Sequence, residues 1–61
     1  PRPSYKFYVA LSGSFRITIH DDDDTKRDYM LNRPYQGLLI QGDTHYSIHD
    51  FSNGVVCLEI E

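Results

Sequence analysis

Apolar and polar residues alternate along this chain with a period of two, broken every few residues by glycine, proline, asparagine or aspartate. The clearest stretch is "SFRITIH", residues 14–20. Phe15, Ile17 and Ile19 fall on one side of an extended ribbon, and Arg16, Thr18 and His20 on the other. Before it, "YKFYVALSG" (5–13) is rich in aromatic and β-branched residues and stops at a serine-glycine break, which predicts a strand and a turn. Parity there separates Tyr8 and Ala10 from Phe7, Val9 and Leu11, so both faces of the strand carry apolar side chains. "DDDDTK" reads as a hairpin loop, because aspartate side chains satisfy turn backbone. "RDYMLN" predicts a third strand, and "RPYQ" a corner, since proline cannot serve a central ladder. "GLLIQ", "HYSIHDF" and "VVCLEIE" complete the set, separated by "GDT" and "SNG" turns. No helical period appears. Six short strands spaced by turn signals predict an all-β sandwich or barrel.

Size changes that picture. Sixty-one residues make one domain at most, or a piece of one. Such a chain buries only ~60% of its unfolded surface, so a metal, a disulfide or a partner subunit is a common supplement. The single cysteine, Cys57, cannot form an internal disulfide, and a lone thiol fits a reducing cytoplasm. Within its apolar strand Cys57 is expected to be inert packing. The net charge is −3 with acidity gathered in "HDDDDTKRD", and no basic stripe marks a nucleic-acid binder. No apolar run approaches the ~20 residues that cross a bilayer, so no membrane partner is expected. The chain opens on Pro1 without Met, directly before a strand, and is expected to be cut from something longer.

Candidate chemistry is sparse. Asp21, Asp23 and Thr25 begin like a calcium loop, but its sixth and twelfth positions hold Lys26 and Asn32 instead of glycine and glutamate. A solvated hairpin tip is the reading that remains. His45, Ser47 and His49 share one side of a strand, with Tyr46 and Ile48 on the other. Positions four apart on a strand lie ~13 Å apart, too far for two imidazoles to share one metal without a bend. The spacing suits two separate contacts along an extended ligand, or ordinary surface histidines. Tyr5, Phe7, Tyr8 and Tyr35 could stack a base or sugar, or build the core. Arg16, Arg27 and Arg33 could each grip a phosphate, though Arg27 follows the acidic loop and neutralises it more simply. No serine sits on a nucleophile elbow, and no catalytic residue can be assigned.

In this order, "LSGSFRITIHDD", "MLNRPYQGLLI" and "HDFSNGVVCLEI" resemble the WxcM-like family of cupins. The resemblance rests on Ser12, Gly13 and Ser14; on residues 21–24; on Leu31, Asn32, Arg33, Pro34, Gly37, Leu38 and Ile40; and on Asp50, Phe51 and Ser52. It runs over most of the chain, which it implies is a partial cupin domain spanning residues 1–61, a jelly-roll barrel of about six antiparallel strands. Characterised members are sugar 3,4-ketoisomerases acting on dTDP-4-keto-6-deoxyglucose. The family implies a homodimer, a thymidine-diphosphate sugar held inside the barrel, no cofactor and no metal. It also implies a cytoplasmic enzyme that feeds polysaccharide or glycan assembly.

Departures from the family pattern qualify this. Catalytic histidines of the family lie in a "HAH(K/R)" segment, and Pro1 aligns where the last of them would stand, so the chain is expected to lack the catalytic base. His45 stands where ketoisomerases carry Trp, and Ser47 where they carry Glu. His45, Ser47 and His49 are expected to face the pocket and, with Tyr5, to contact the sugar nucleotide. "GDTHYSIH" also partly matches the second cupin metal motif through Gly42 and His45, but the first motif is absent from the chain. The alternative function is a non-catalytic cupin module that binds a sugar nucleotide or a protein partner.

Overall fold

A computed structural model describes residues 4–61. All six expected strands form: β1 (Tyr5–Ser12), β2 (Phe15–His20), β3 (Lys26–Leu31), β4 (Gly37–Gln41), β5 (His45–His49) and β6 (Val56–Ile60). They build two antiparallel three-stranded sheets, ordered β4-β1-β6 and β3-β2-β5, stacked as part of a cupin-type jelly roll. The described residues contain no helix long and apolar enough to cross a membrane.

Alternation decides what the sheets bury. Phe15 and Ile17 on β2 are fully enclosed, with Ile19 beside them, and Tyr8, Ala10, Leu31 and Ile40 close the core from the other strands. Ile19 lies opposite Tyr46 and Ile17 opposite Ile48, so β5 turns those two side chains toward the core. Burying a side chain the size of Phe15 or Ile17 stabilises by about 1.5–3 kcal/mol. The outer face of β4-β1-β6 is apolar too. Val9 is only 4% exposed there, hemmed in by its ladder partners Gly37 and Leu58, while Leu39, Val56, Leu58 and Ile60 stand in solvent.

The segments that carry the family resemblance act as clamps. Gly13 has φ 72°, the left-handed region that favours glycine. A Cβ there would come within 2.5 Å of Ser52 Oγ and 3.0 Å of the Val55 backbone. Next to it, the Ser14 amide donates to Ser52 Oγ at 2.9 Å, and the Ser52 amide donates to the Ser14 carbonyl at 2.9 Å. The Phe15 and Phe51 rings stack with centroids 5.8 Å apart. The "SGS" turn and the "DFS" segment are thus one joint. β5 stops at His49, two residues before the expected end, because Asp50 takes φ 58° and turns the chain out of the ladder. The aspartate run forms the β2–β3 turn as expected: Thr25 Oγ1 donates to Asp23 at 2.6 Å and Arg27 reaches Asp21 at 3.1 Å. The Thr25 hydroxyl and amide together hold the Asp23 carboxyl below the usual aspartate range.

Cys57 departs from expectation. It is exposed, because β6 is an edge strand and every residue of it reaches solvent.

Candidate functional site: a cavity at one end of the stacked sheets

A cavity of about 640 Å³ opens where β1 begins and β4 ends, bordered by Tyr5, Lys6, Ile40, Gln41, Tyr46 and Glu61. Ser4 and Gly42 border it as well and approach each other closely. The Gly42 amide donates to the Ser4 carbonyl at 2.7 Å, and a Cβ on Gly42 would strike Ser4 Oγ.

One polar cluster reaches into this cavity from the core. Tyr8 and Tyr46 project from opposite sheets, with ring centroids 5.8 Å apart in an edge-to-face arrangement and hydroxyls 2.7 Å apart. The Tyr8 hydroxyl donates to Glu59 Oε1 at 2.6 Å. A phenol has one proton, so Tyr46 is the donor in the bond between the two hydroxyls. The direction of the chain is therefore fixed: Tyr46 to Tyr8 to Glu59. Burial, reinforced by Glu59 and Tyr46, pushes the Tyr8 phenol well above the ordinary tyrosine range, so Tyr8 keeps that proton. Lys6 Nζ lies 3.3 Å from Glu61 and 3.8 Å from Glu59. Glu61 first, with Tyr46 and Glu59 adding to it, holds the Lys6 ammonium above the ordinary lysine value. The arrangement supplies hydrogen-bond acceptors, a directed chain of hydrogen bonds and an apolar wall at Ile40.

The histidines are elsewhere. His45, Ser47 and His49, expected to face the pocket, lie on the outer face of β5, because Tyr46 and Ile48 take the core side. The parity was legible, but the histidine face was assigned inward. Tyr46 and Ile48 are the apolar face of the strand, and their pairing with Ile19 and Ile17 turns them to the core. Tyr5 alone of the four expected contact residues borders the cavity.

On that outer face the polar groups form a second cluster. Thr18 Oγ1 donates to Asp28 Oδ1 at 2.5 Å and lies 2.7 Å from His49 Nε2. His49 Nδ1 lies 3.3 Å from Asp50, whose carboxylate also meets Arg16 Nε at 3.5 Å. A hydroxyl, an imidazole and a carboxylate in series have the spacing of a nucleophile, base and orienter. Thr18, however, is 8% exposed and its single proton is held by Asp28, so no nucleophile is presented. His20 and His45 face each other across β2 and β5, beside Asp21, Asp22 and Asp43, around a polar recess of about 160 Å³. Among the described residues no group of three or more histidine, cysteine or acidic side chains could hold a metal ion.

Sequence reading missed Lys6, Tyr8, Tyr46 and Glu59 as a unit. One signal pointed to it: Glu59 is a lone carboxylate inside the apolar run "VVCLEI". Its parity with Cys57 puts it on the side of Tyr8 and Ala10.

A family model described as FdtA: WxcM-like, C-terminal, matches residues 2–60. No curated protein and no solved structure matches the chain. The match spans nearly the whole chain, and the two stacked antiparallel sheets agree with a cupin barrel. The chain belongs to the FdtA, WxcM-like C-terminal family.

Proposed function

We propose that residues 1–61 act as a partial cupin domain that holds a thymidine-diphosphate sugar in the cavity, as part of a cytoplasmic sugar 3,4-ketoisomerase acting on dTDP-4-keto-6-deoxyglucose. Family membership supports the sugar-modifying class. The observation that carries the reading is the cavity itself, with the Tyr46–Tyr8–Glu59 relay opening onto it. Moving a carbonyl from C4 to C3 passes through an enediol, which needs a base that takes the C3 proton, an acid that returns one to C4, and partners for the proton gained at O4 and lost at O3. The relay offers a hydrogen-bond partner for a sugar oxygen at Tyr46, and no base for the carbon-bound proton stands among the described residues of the relay. Among the described residues bordering the cavity there is no histidine, the usual choice near neutral pH.

That absence favours the second reading, a non-catalytic module that binds the sugar nucleotide. One experiment separates the two. The 61-residue chain is incubated with dTDP-4-keto-6-deoxyglucose and followed by NMR. Binding without conversion supports the module, and isomerisation supports the enzyme. No perturbation of either partner would sink both. His45→Ala and His49→Ala belong in the same series, since binding lost in both variants would restore the outer histidines as sugar contacts.

A homodimer belongs to the same proposal. The molecule measures 34 × 26 × 15 Å, so its broad face covers at most roughly 900 Å², close to the ~800 Å² each partner contributes to a standard interface. The exposed Leu39, Leu58 and Ile60 give the outer face of β4-β1-β6 the apolar character such a contact needs.

A further inference from the structure

We propose that His20 and His45 chelate a divalent ion of the zinc, copper or nickel type on the outer face of the β3-β2-β5 sheet. The site stands apart from the cavity between the sheets and does not rest on the nucleotide-sugar reading.

Register is the first ground. His20 ends β2 and His45 begins β5, and the two are direct partners in the antiparallel ladder. Residues opposed in this way share a face and hold their Cβ atoms ~4.5–5.5 Å apart. Two imidazoles hung from such a pair can close on one ion at the usual metal–nitrogen distance of ~2.0–2.1 Å. His45 and His49 cannot do this, because one strand spreads them ~13 Å apart. β2 is held between β3 and β5, so the spacing of the two rings is set before any ion arrives.

Availability of the ring nitrogens is the second ground. Both nitrogens of His49 are engaged, Nε2 with Thr18 at 2.7 Å and Nδ1 with Asp50 at 3.3 Å. Among the described residues, no hydrogen bond or ion pair occupies a ring nitrogen of His20 or His45, and both side chains reach solvent. They open onto the polar recess of about 160 Å³ with Asp21, Asp22, Asp43 and Thr44. Asp21 is already held by Arg27 and Thr25. No group of three ligating side chains converges among the described residues, so water completes the coordination. Asp22 and Asp43 border the recess and can accept hydrogen bonds from such waters. Lys26, the ladder partner of His20 on β3, adds one opposing charge. Imidazole selects zinc, copper or nickel, whereas a site made by the aspartates alone would select calcium or magnesium. An ion that joins β2 to β5 stabilises the folded sheet, a useful supplement to so small a core.

The test titrates the 61-residue chain with Zn²⁺ to ~1 mM while the imidazole NMR signals are followed. His20 and His45 should shift together and saturate at one ion per chain, while His49 stays in place. The melting temperature should rise with zinc and return on chelation. His20→Ala and His45→Ala should each weaken binding roughly hundredfold, because either change removes the chelate. The double variant should be hardly worse than a single one. Calcium at the same concentration should leave both rings unmoved. Zinc that moves only one of the two rings, is displaced by calcium or settles at Cys57 would overturn the inference. So would no response at all, or single variants that lower the stoichiometry and leave the affinity unchanged. The wild-type signals decide even where a variant fails to fold.

Discussion

The Tyr46 and Tyr8 hydroxyls meet at 2.7 Å across the space between the two sheets, one from β5 and one from β1. This bond ties the layers together where the cavity opens. Tyr8→Phe removes both of its hydrogen bonds and leaves Glu59 beside an apolar ring. The expected cost is about 1–2 kcal/mol, read from urea denaturation at neutral pH.

The same substitution predicts a pH dependence. Folding raises the Tyr8 pKa, so the contribution of this group is fully present below the unfolded-state value of about 10 and is lost as pH rises beyond it. Wild-type stability should therefore fall from about pH 10 upward more steeply than that of Tyr8→Phe. Parallel curves would show that Tyr8 titrates alike in both states.

Gly13→Ala should be among the most damaging single-methyl additions. The backbone there is left-handed, and the new Cβ would press on Ser52 and on the Val55 main chain, which cannot swing aside. A loss of about 1–3 kcal/mol is expected. Gly54→Ala is the control: its φ is also positive, at 70°, but nothing lies within 4 Å of the added Cβ. If the two cost the same, backbone conformation accounts for the whole effect and the Ser52 contact for none.

Thr18→Val keeps the shape of a buried side chain and removes its hydroxyl. Asp28 and His49 lose their shared partner, and the β3, β2 and β5 strands lose a cross-link on the outer face. We expect about 1–2 kcal/mol of destabilisation by thermal or urea unfolding, with no change in ligand binding at the cavity. Weakened binding at the cavity would mean that the two faces of this sheet are coupled.

Self-association can be checked by sedimentation over a hundredfold concentration range. Wild type should show a dimer that Leu39→Lys abolishes, because Leu39 is exposed on the outer face at the middle of the edge strand β4, opposite Phe7. A monomer throughout would leave that face without a second copy.

How much of this was legible beforehand varies with the physics involved. The strands were, since alternation and turn residues are local signals: β2 could be read from "SFRITIH" alone. The motifs were legible as a resemblance but not as contacts. Gly13 and Ser52 lie far apart in sequence, and only the fold shows that one leaves room for the other. The site was mostly hidden. Residue type drew attention to His45 and His49, yet pairing with Ile17 and Ile19 turns Tyr46 and Ile48 inward in their place. Glu59, Tyr8 and Tyr46 come from three strands in two sheets, a juxtaposition that no spacing along the chain encodes.

The strand order has a consequence for synthesis. β1 is the central strand of its sheet, but its neighbours are β4 and β6, both made after β2 and β3. On a ribosome adding ~5–20 residues per second, Phe7 and Val9 would wait seconds before Leu39, Leu58 and Ile60 exist to flank them. Only β2 and β3 can pair as a local hairpin while translation continues. The nascent chain thus holds the apolar β1 unpaired until β4, and then β6, has been made. Its yield in a cell should depend on translation speed and chaperone holding more than its equilibrium stability would suggest.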